Sequence, residues 1–295
     1  MKGRAIKHTI VDIHPHVITD DDTRYPKRPL GGKQSTWSQE RPAPVERLIA
    51  EMDAAGVDKA AIVQSSTSYG HDNSYLADAV DAHRDRCTGV VSVDACAPDS
   101  IERLSHWIDA RRMAGLRLFT TGSTMPGQAD WLDSAATYPV WEWAGERAVP
   151  ICVQMRLEAI DRLRSMMDRF PATPVILDHL AFVDSEDGPP YTRATPLFEL
   201  ASYQQLHLKI TTNSLWEMEK GAGSPQSFLP QLVHRFGAHR MAWGSNFPAS
   251  AGSMTELVKL ASTAFETAMS SEDVGRVMGG TALRLYPVLG RELAR

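Results

Sequence analysis

The chain has 295 residues, of which 43% are hydrophobic and 23% are charged, a composition typical of a folded globular protein and not of a disordered one. Its formal net charge is -5 and it has no basic run, which argues against nucleic acid or an anionic membrane as a partner. No stretch approaches the apolar length that a membrane-spanning helix requires. We therefore expect a small molecule as its ligand.

The cysteines are sparse and odd in number, and none forms a C-x-x-C pair: Cys87, Cys96 and Cys152. This pattern argues against a disulfide framework and is typical of buried thiols in a reducing compartment. Residues 1–10 lead directly into strand-like sequence, without the apolar core of a secretion signal. We expect a cytoplasmic protein.

Short apolar runs recur along the whole chain. Because they do not alternate apolar with polar residues, they are typical of strands buried on both faces of a parallel sheet. The eight runs are TIVDI (9–13), AAIVQ (60–64), TGVVSV (88–93), AGLRLF (114–119), VPICVQM (149–155), TPVILDH (173–179), LHLKIT (206–211) and RMAWGS (240–245). Each is one predicted strand.

Helical periodicity fills the segments between these runs. The first such segment places Val45, Leu48 and Met52 on one face, and Gly56 lies just past its end. The helical segments are 44–55, 73–83, 99–108, 140–147, 158–169, 197–203, 228–236 and 254–268. Eightfold alternation of strand and helix predicts an α/β fold, a single (β/α)₈ TIM barrel that forms one domain over residues 1–295.

A doubly wound sheet is the alternative fold. It would place a glycine-rich phosphate loop after the first strand, but HPHV follows there at 14–17. Three connections after predicted strands are longer than a barrel needs: 18–42, 121–136 and 182–195. Because barrels of this kind hold their chemistry at the C-terminal ends of the strands, we expect these βα loops to form substrate walls or lids.

The sharpest chemical signal is the sequence Asp12-Ile13-His14-Pro15-His16. Residues two apart along a strand face the same side, so His14 and His16 are expected to project together into the mouth of the barrel. Two imidazoles held in this way can chelate a divalent metal, and Asp12 is a candidate to orient one ring.

Two further segments end strands at the same face of the barrel. His179 closes the sixth predicted strand, and Ser245 and Asn246 close the eighth, which is the neighbour of the first in a closed barrel. We therefore expect His179 and Asn246 to lie beside His14 and His16.

Together these motifs resemble the amidohydrolase-related family of TIM-barrel hydrolases. The resemblance rests on three motifs, D-x-H-x-H at 12–16, D-H-L at 178–180 and G-S-N-F-P at 244–248. The segments 56–73, 115–119 and 206–211 also follow in the order that the family has. The likeness covers nearly the whole chain and is closest to the branch of 2-pyrone-4,6-dicarboxylate lactonase and the sugar lactonases. It implies a hydrolase with a divalent metal (Zn, Mn or Fe) held by His14, His16 and His179, or no metal, as in the metal-free examples of that branch.

One position departs from the family pattern. Where the family usually has an aspartate that serves as metal ligand or general base, this chain has Asn246. An amide cannot take a proton from water near neutral pH and is a weaker metal ligand than a carboxylate. His71, after the second strand, is the remaining candidate for an acid or base.

The substrate-binding candidates are polar residues at the C-terminal ends of the other strands. Arg117 matches a position that resembles the carboxylate-binding arginine of the lactonases, and the alternative is an arginine paired with a structural carboxylate. Lys209, inside the seventh strand, is either structural or directed into the pocket. The other candidates are Gln154, Arg156, Tyr69 and Asn73.

The leading hypothesis is a hydrolase that opens a small lactone, or a related cyclic ester or amide, bearing a carboxylate. The catalytic set is His14, His16, His179, Asn246 and His71. The alternatives are a metal-dependent decarboxylase or hydratase, more remotely an oxygenase, or a binding protein without activity. The sequence leaves the oligomeric state open, with a homodimer as the expectation for a barrel of this size.

Overall fold

A computed structural model describes residues 8–291 of the chain. Its eight strands are all parallel, and each pairs with the next along the sequence. They are β1 (Val11–Asp12), β2 (Lys59–Val63), β3 (Cys87–Ser92), β4 (Gly115–Phe119), β5 (Ile151–Gln154), β6 (Val175–Leu177), β7 (Leu206–Thr211) and β8 (Met241–Gly244). The predicted (β/α)₈ barrel is confirmed, with one strand in each of the eight apolar runs. The predicted single domain over 1–295 extends beyond the described residues at both ends.

Helices follow the strands and cover the outside of the barrel. They are α1 (Thr36–Glu40), α2 (Val45–Ala55), α3 (Ser66–Tyr69), α4 (Ser74–Ala82), α5 (Ser100–Ser105), α6 (Tyr138–Glu146), α7 (Ile160–Arg169), α8 (Thr195–Glu199), α9 (Thr212–Met218), α10 (Pro225–Phe236), α11 (Met254–Ala268), α12 (Ser271–Gly275) and α13 (Thr281–Leu285). Of these, α11 begins with a capping box in which Ser253 and Glu256 satisfy each other's backbone amides. Among the described residues, no helix combines the length and the hydrophobicity that crossing a bilayer requires.

The interior of the barrel is filled in layers. The N-terminal end is closed by the segment that includes α13, whose Tyr286 and Leu289 pack with Val11 and Ile176. Strand register then aligns Arg117 with Cys152 and Cys152 with Ile176. Paired residues of a parallel sheet point to the same face, so an arginine in β4 faces the same interior as the buried apolar residues.

The barrel closes where β1 meets β8. The Ile13 amide donates to the Trp243 carbonyl at 3.2 Å, and the Asp12 carboxylate accepts the Ser245 amide at 2.8 Å. A glycine permits the two chains to approach, because a Cβ on Gly244 would lie 2.5 Å from the Cβ of His14. Closure therefore brings the end of β8 directly against His14.

We predict that Gly244→Ala destabilises the protein by about 1–3 kcal/mol, the usual cost of an added methyl group in a packed interior. The measurement is urea unfolding followed by circular dichroism. The matched control is Gly290→Ala, where an added Cβ meets nothing within 4 Å, and we expect a change within about 0.5 kcal/mol there. Equal stability of Gly244→Ala and the wild type would show that the seam does not need glycine.

Candidate active site

The C-terminal mouth of the barrel contains a cavity of about 230 Å³. Its walls come from strand ends and βα loops all round the barrel, as expected for this architecture. The lining residues include His16, Trp37, Arg117, Phe119, Gln154, His179, Phe182, Asn213 and Asn246. The residues from β1, β4, β5, β6 and β8 that the sequence placed at one face thus share one cavity.

The three histidines of the sequence analysis meet at this mouth. The ring of His14 lies 4.9 Å from the ring of His16 and 4.7 Å from the ring of His179, centroid to centroid, with edge-to-face geometry in both pairs. His14 is fully buried, and the other two are exposed only toward the cavity. The expected convergence of these side chains is therefore present.

Each imidazole uses its Nδ1 atom to contact the protein. His16 Nδ1 lies 2.8 Å from the Val63 carbonyl, and His179 Nδ1 lies 2.8 Å from Thr211 Oγ1. The third contact joins His14 Nδ1 to the ammonium of Lys209 at 3.0 Å. Within residues 8–291, the Nε2 atoms of the three rings have no hydrogen-bond partner, and that of His14 is completely buried.

Burial keeps these rings neutral. It lowers the pKa of His16 to about 3, with the positive charge of Arg117 acting in the same direction. The pKa of His179 also falls to about 3 through burial, although Asp178 opposes the shift. A carbonyl oxygen can only accept, so neutral His16 donates from Nδ1 and leaves a free lone pair on Nε2. This ring can accept a proton from a molecule in the cavity.

His179 is presented by an unusual backbone. Four consecutive residues that are not glycine, from His179 to Phe182, have φ between 53° and 55°. The left-handed region costs about 1–2 kcal/mol for each such residue. Strain of this kind is concentrated at functional sites, where the surrounding structure enforces it.

A buried charge cluster lies beneath the rings. The Asp178 carboxylate is 2.7 Å from Lys209 Nζ and 3.1 Å from Arg117 Nε. Burial alone would raise the pKa of Asp178, but the charges of Lys209 and Arg117 outweigh it and hold that pKa at about 2. Lys209, left undecided by the sequence, is therefore an interior residue at the site, and Asp178 is a site residue to which the sequence analysis gave no role. The available signals were the D-H-L motif at 178–180 and a lysine within an apolar strand.

Asp12 has a different role from the one expected. Its Oδ1 atom accepts the backbone amides of His14 at 2.9 Å and Ser245 at 2.8 Å, so it joins β1 to β8 instead of orienting an imidazole. Burial raises the pKa of this carboxyl to about 6. The prediction of Asp12 as a ring acceptor was wrong, because ring orientation comes from Val63, Lys209 and Thr211.

Asn246 lies in the cavity wall with a left-handed backbone, at φ 59°. Its side-chain amide donates to Ser250 Oγ at 3.1 Å, and that hydroxyl donates to the side-chain oxygen Oδ1 of Asn213 at 3.0 Å. This chain fixes the amide orientation and leaves the Asn246 carbonyl oxygen available to a ligand. The structure thus places Asn246 beside the histidines, as expected.

The predicted substrate-binding residues divide into two groups. Arg117 and Gln154 line the cavity and bond to each other. Arg117 also pairs with Asp178. The arginine therefore has the structural carboxylate partner that was the alternative interpretation, and it faces the cavity as well. Arg156 is exposed beyond β5, although its sequence position suggested a pocket-facing side chain.

The candidates after β2 lie apart from the histidine cluster. His71 contacts Ser92 Oγ at 3.1 Å and lines two neighbouring cavities instead of the central one. Asn73 is fully buried. Its side-chain oxygen accepts the Ser92 backbone amide at 2.8 Å, and its side-chain nitrogen donates to the Ser92 carbonyl at 2.9 Å. Tyr69 accepts the Thr19 amide at 2.9 Å. None of the three lines the central cavity in the described part of the chain, where the segment after β2 contributes Ser65, Ser66 and Thr67 instead.

Two aromatic side chains from the long βα loops cover the rings. Trp37 stacks on His16 at 5.5 Å, and Phe182 stacks on His179 at 5.3 Å. Phe182 is 39% exposed, so its outer face is open to solvent. The loops after β1 and β6 therefore form apolar walls, as their length predicted.

The arrangement of the same groups can be compared with that of a metal site. One ligand atom each from His14, Asp178 and His179 lie within 4.8 Å of one another, a spacing that a divalent ion could bridge. However, the ammonium of Lys209 already contacts both Asp178 and His14. A second cation among the same atoms would be repelled at short range in a low-dielectric interior. In this arrangement the residues do not fit a divalent ion.

Comparison with known sequences gives a consistent result. The chain is 21% identical over 289 residues to the L-fucono-1,5-lactonase of Burkholderia ambifaria, covering 94% of this chain and 95% of that protein. It is 24% identical over 226 residues to the 4-sulfomuconolactone hydrolase of Rhizobium radiobacter, covering 72% and 71%.

Solved structures show the same fold. A Pseudomonas putida protein with a provisional assignment as a 2-pyrone-4,6-dicarboxylic acid hydrolase has a TM-score of 0.75, 21% identity and coverage of 96% and 99%. A Burkholderia multivorans amidohydrolase with bound zinc has a TM-score of 0.74, 20% identity and coverage of 95% and 99%. A 2,6-dihydroxybenzoate decarboxylase has a TM-score of 0.68, 14% identity and coverage of 95% and 100%.

The sequence profile of the family described as Amidohydrolase matches residues 11–288, which is nearly the entire chain. The match spans the closed barrel and every residue of the histidine cluster. This protein belongs to the amidohydrolase family.

Proposed function

We propose that this enzyme hydrolyses a small lactone, or a closely related cyclic ester or amide, that carries a carboxylate. The observation that supports this most directly is the cluster of three neutral imidazoles, two of which line the cavity. Each has Nδ1 held by the protein, and each Nε2 has no partner within residues 8–291. The lactonase names of two relatives agree with the proposal.

The cavity favours a compact ring as the substrate. Its volume of about 230 Å³ is small for a ligand site, and the aromatic walls of Trp37 and Phe182 exclude water from one side of a bound ring. Arg117 supplies the charged wall. Two of its guanidinium nitrogens contact Asp178 and Gln154, and its Nη1 has no hydrogen-bond partner within residues 8–291. That nitrogen is available for a substrate carboxylate.

Hydrolysis needs a polarised carbonyl and a positioned water. In the proposed reaction an imidazole N–H donates to the carbonyl oxygen and stabilises the negative charge that develops there. His16 Nε2, whose lone pair is free, takes a proton as water adds to the carbonyl carbon. The ring C–O bond then breaks, and the proton passes to the departing ring oxygen. Asn246, which cannot act as a base, orients the water through its carbonyl oxygen.

A decarboxylase or hydratase on the same barrel is the second candidate. The observation that favours it is Asn246, because a neutral amide cannot supply the hydrolytic base, and decarboxylation in particular needs no activated water. The decarboxylase among the structural neighbours shows that the fold is compatible with such chemistry. Release of carbon dioxide, in place of one acid equivalent per turnover, would select this alternative.

The cellular setting is part of the same proposal. All three cysteines are free thiols, which suits the reducing cytoplasm. We also propose that the barrel pairs as a homodimer, and sedimentation of the purified protein would show one or two copies.

The first test is turnover of a panel of carboxylate-bearing lactones in a pH-stat, with His16→Asn beside the wild type. We expect acid release by the wild type and a loss of about 10²–10⁴-fold in kcat for the variant, the usual contribution of a general base. The control is His234→Asn, a histidine exposed on α10, which should keep full activity. Wild-type protein that opens no lactone on the panel would rule the proposal out.

The second test asks whether Arg117 binds a substrate carboxylate. We expect Arg117→Lys to lower kcat/KM about 10–100-fold for a carboxylate-bearing lactone, because a bond to a charged group contributes about 1.5–3 kcal/mol and lysine cannot reproduce the planar fork. The uncharged methyl ester of the same lactone should lose far less. Arg156→Lys is the matched control, since that arginine is exposed outside the cavity. If the charged and uncharged substrates lose activity equally, Arg117 does not bind a carboxylate.

A further inference from the structure

The buried ammonium of Lys209 contacts Asp178 and His14, two of the three residues whose ligand atoms lie close enough together for a divalent ion. We propose that Lys209 is the resident cation of this active site: it takes the place of a metal between Asp178 and His14 and fixes His14 as a hydrogen-bond donor. The part that concerns His14 rests on the proposed hydrolysis of a carbonyl compound. The part that concerns the metal does not.

The ammonium of Lys209 is surrounded by potential ligand atoms, as a bound metal ion would be. Its Nζ atom lies 2.7 Å from Asp178 Oδ1, 3.0 Å from His14 Nδ1 and 3.5 Å from Cys152 Sγ. The side chains of Lys209 and Asp178 are both fully buried. A buried carboxylate requires a positive partner, and this lysine is a partner that the chain itself supplies.

The lysine also determines which nitrogen of His14 carries the proton. An ammonium has three donors and no acceptor, so His14 Nδ1 must accept from Lys209. The proton of the neutral ring is then on Nε2. This nitrogen is buried and has no partner among residues 8–291. A protonated Nε2 cannot ligate a metal, and it leaves His14 with a hydrogen-bond donor behind the cavity-lining rings of His16 and His179.

Asn246 supports the same inference independently. Beyond the end of the eighth strand the cavity wall carries a neutral amide, that of Asn246, which is bonded to Ser250. A divalent ion here would receive no anionic ligand from this strand end and would meet the positive charge of Lys209. Both differences lower the affinity for a metal, and the lysine replaces the charge that the metal would bring.

The test is zinc affinity, measured by competition with a chromophoric chelator after exhaustive dialysis of each protein. The wild type should retain less than about one zinc ion per ten molecules, and its affinity should be at least about 10-fold weaker than that of Lys209→Met, whose side chain is similar in shape and uncharged. Lys209→Arg keeps the charge and should behave as the wild type. Lys259→Met removes an exposed lysine and is the matched control.

The ring nitrogens of His14 give a second measurement that a purely structural lysine would not affect. Long-range ¹H–¹⁵N spectra of histidine-labelled protein should show His14 protonated on Nε2 in the wild type. In Lys209→Met, this ring should change tautomer or bind zinc. If Lys209→Met does not fold, Lys209→Ala can be measured with and without propylammonium, which should weaken zinc binding by refilling the vacated volume.

The outcomes separate the two proposals. Stoichiometric zinc in the wild type, with Lys209 intact, would overturn the inference. Equal zinc affinity in the wild type and in Lys209→Met would also overturn it, because the lysine would then not exclude the ion. Neither measurement uses turnover, so a lactone panel without activity would leave the zinc result standing, and an active enzyme with bound zinc would leave the hydrolase standing.

Discussion

The ion pair between Lys209 and Asp178 is the constraint on which the rest of the site depends. Asp178 ends β6, Lys209 belongs to β7, and the same carboxylate also contacts Arg117 of β4. Lys209 then reaches His14, beyond the end of β1. One buried carboxylate thus links groups from four parts of the barrel, and the positions of the His14 imidazole and the cavity arginine follow from it.

Such a cluster is not an efficient way to stabilise a barrel. Replacing a buried ion pair with apolar residues of similar size is often neutral or stabilising, because the cost of removing charges from water offsets their attraction. The layers below, where Tyr286 and Ile176 pack with Val11, show that this chain fills its interior with apolar groups elsewhere. The charges of Asp178, Lys209 and Arg117 lie next to the cavity that Arg117 lines, which favours a role in chemistry over a role in folding.

Much of this arrangement could be predicted from sequence because strand order determines which ends are neighbours. The meeting of His14, His16, His179 and Asn246 followed from three strand ends, those of β1, β6 and β8, at one face. Periodicity does not specify loop conformation, so it could not show that His71 lines other cavities. Nor could it specify individual hydrogen bonds, which is why Asp12 was assigned to a ring and the direction of Lys209 stayed open.

Two features of the chain then become related. Asn246 contributes a neutral amide beyond the end of β8, and Lys209 places a positive charge within β7. Either residue alone would weaken a metal site there, because an amide is a weaker ligand than a carboxylate and an ammonium repels a second cation. Together they describe a site in which the positive charge is covalently part of the chain and is balanced by Asp178.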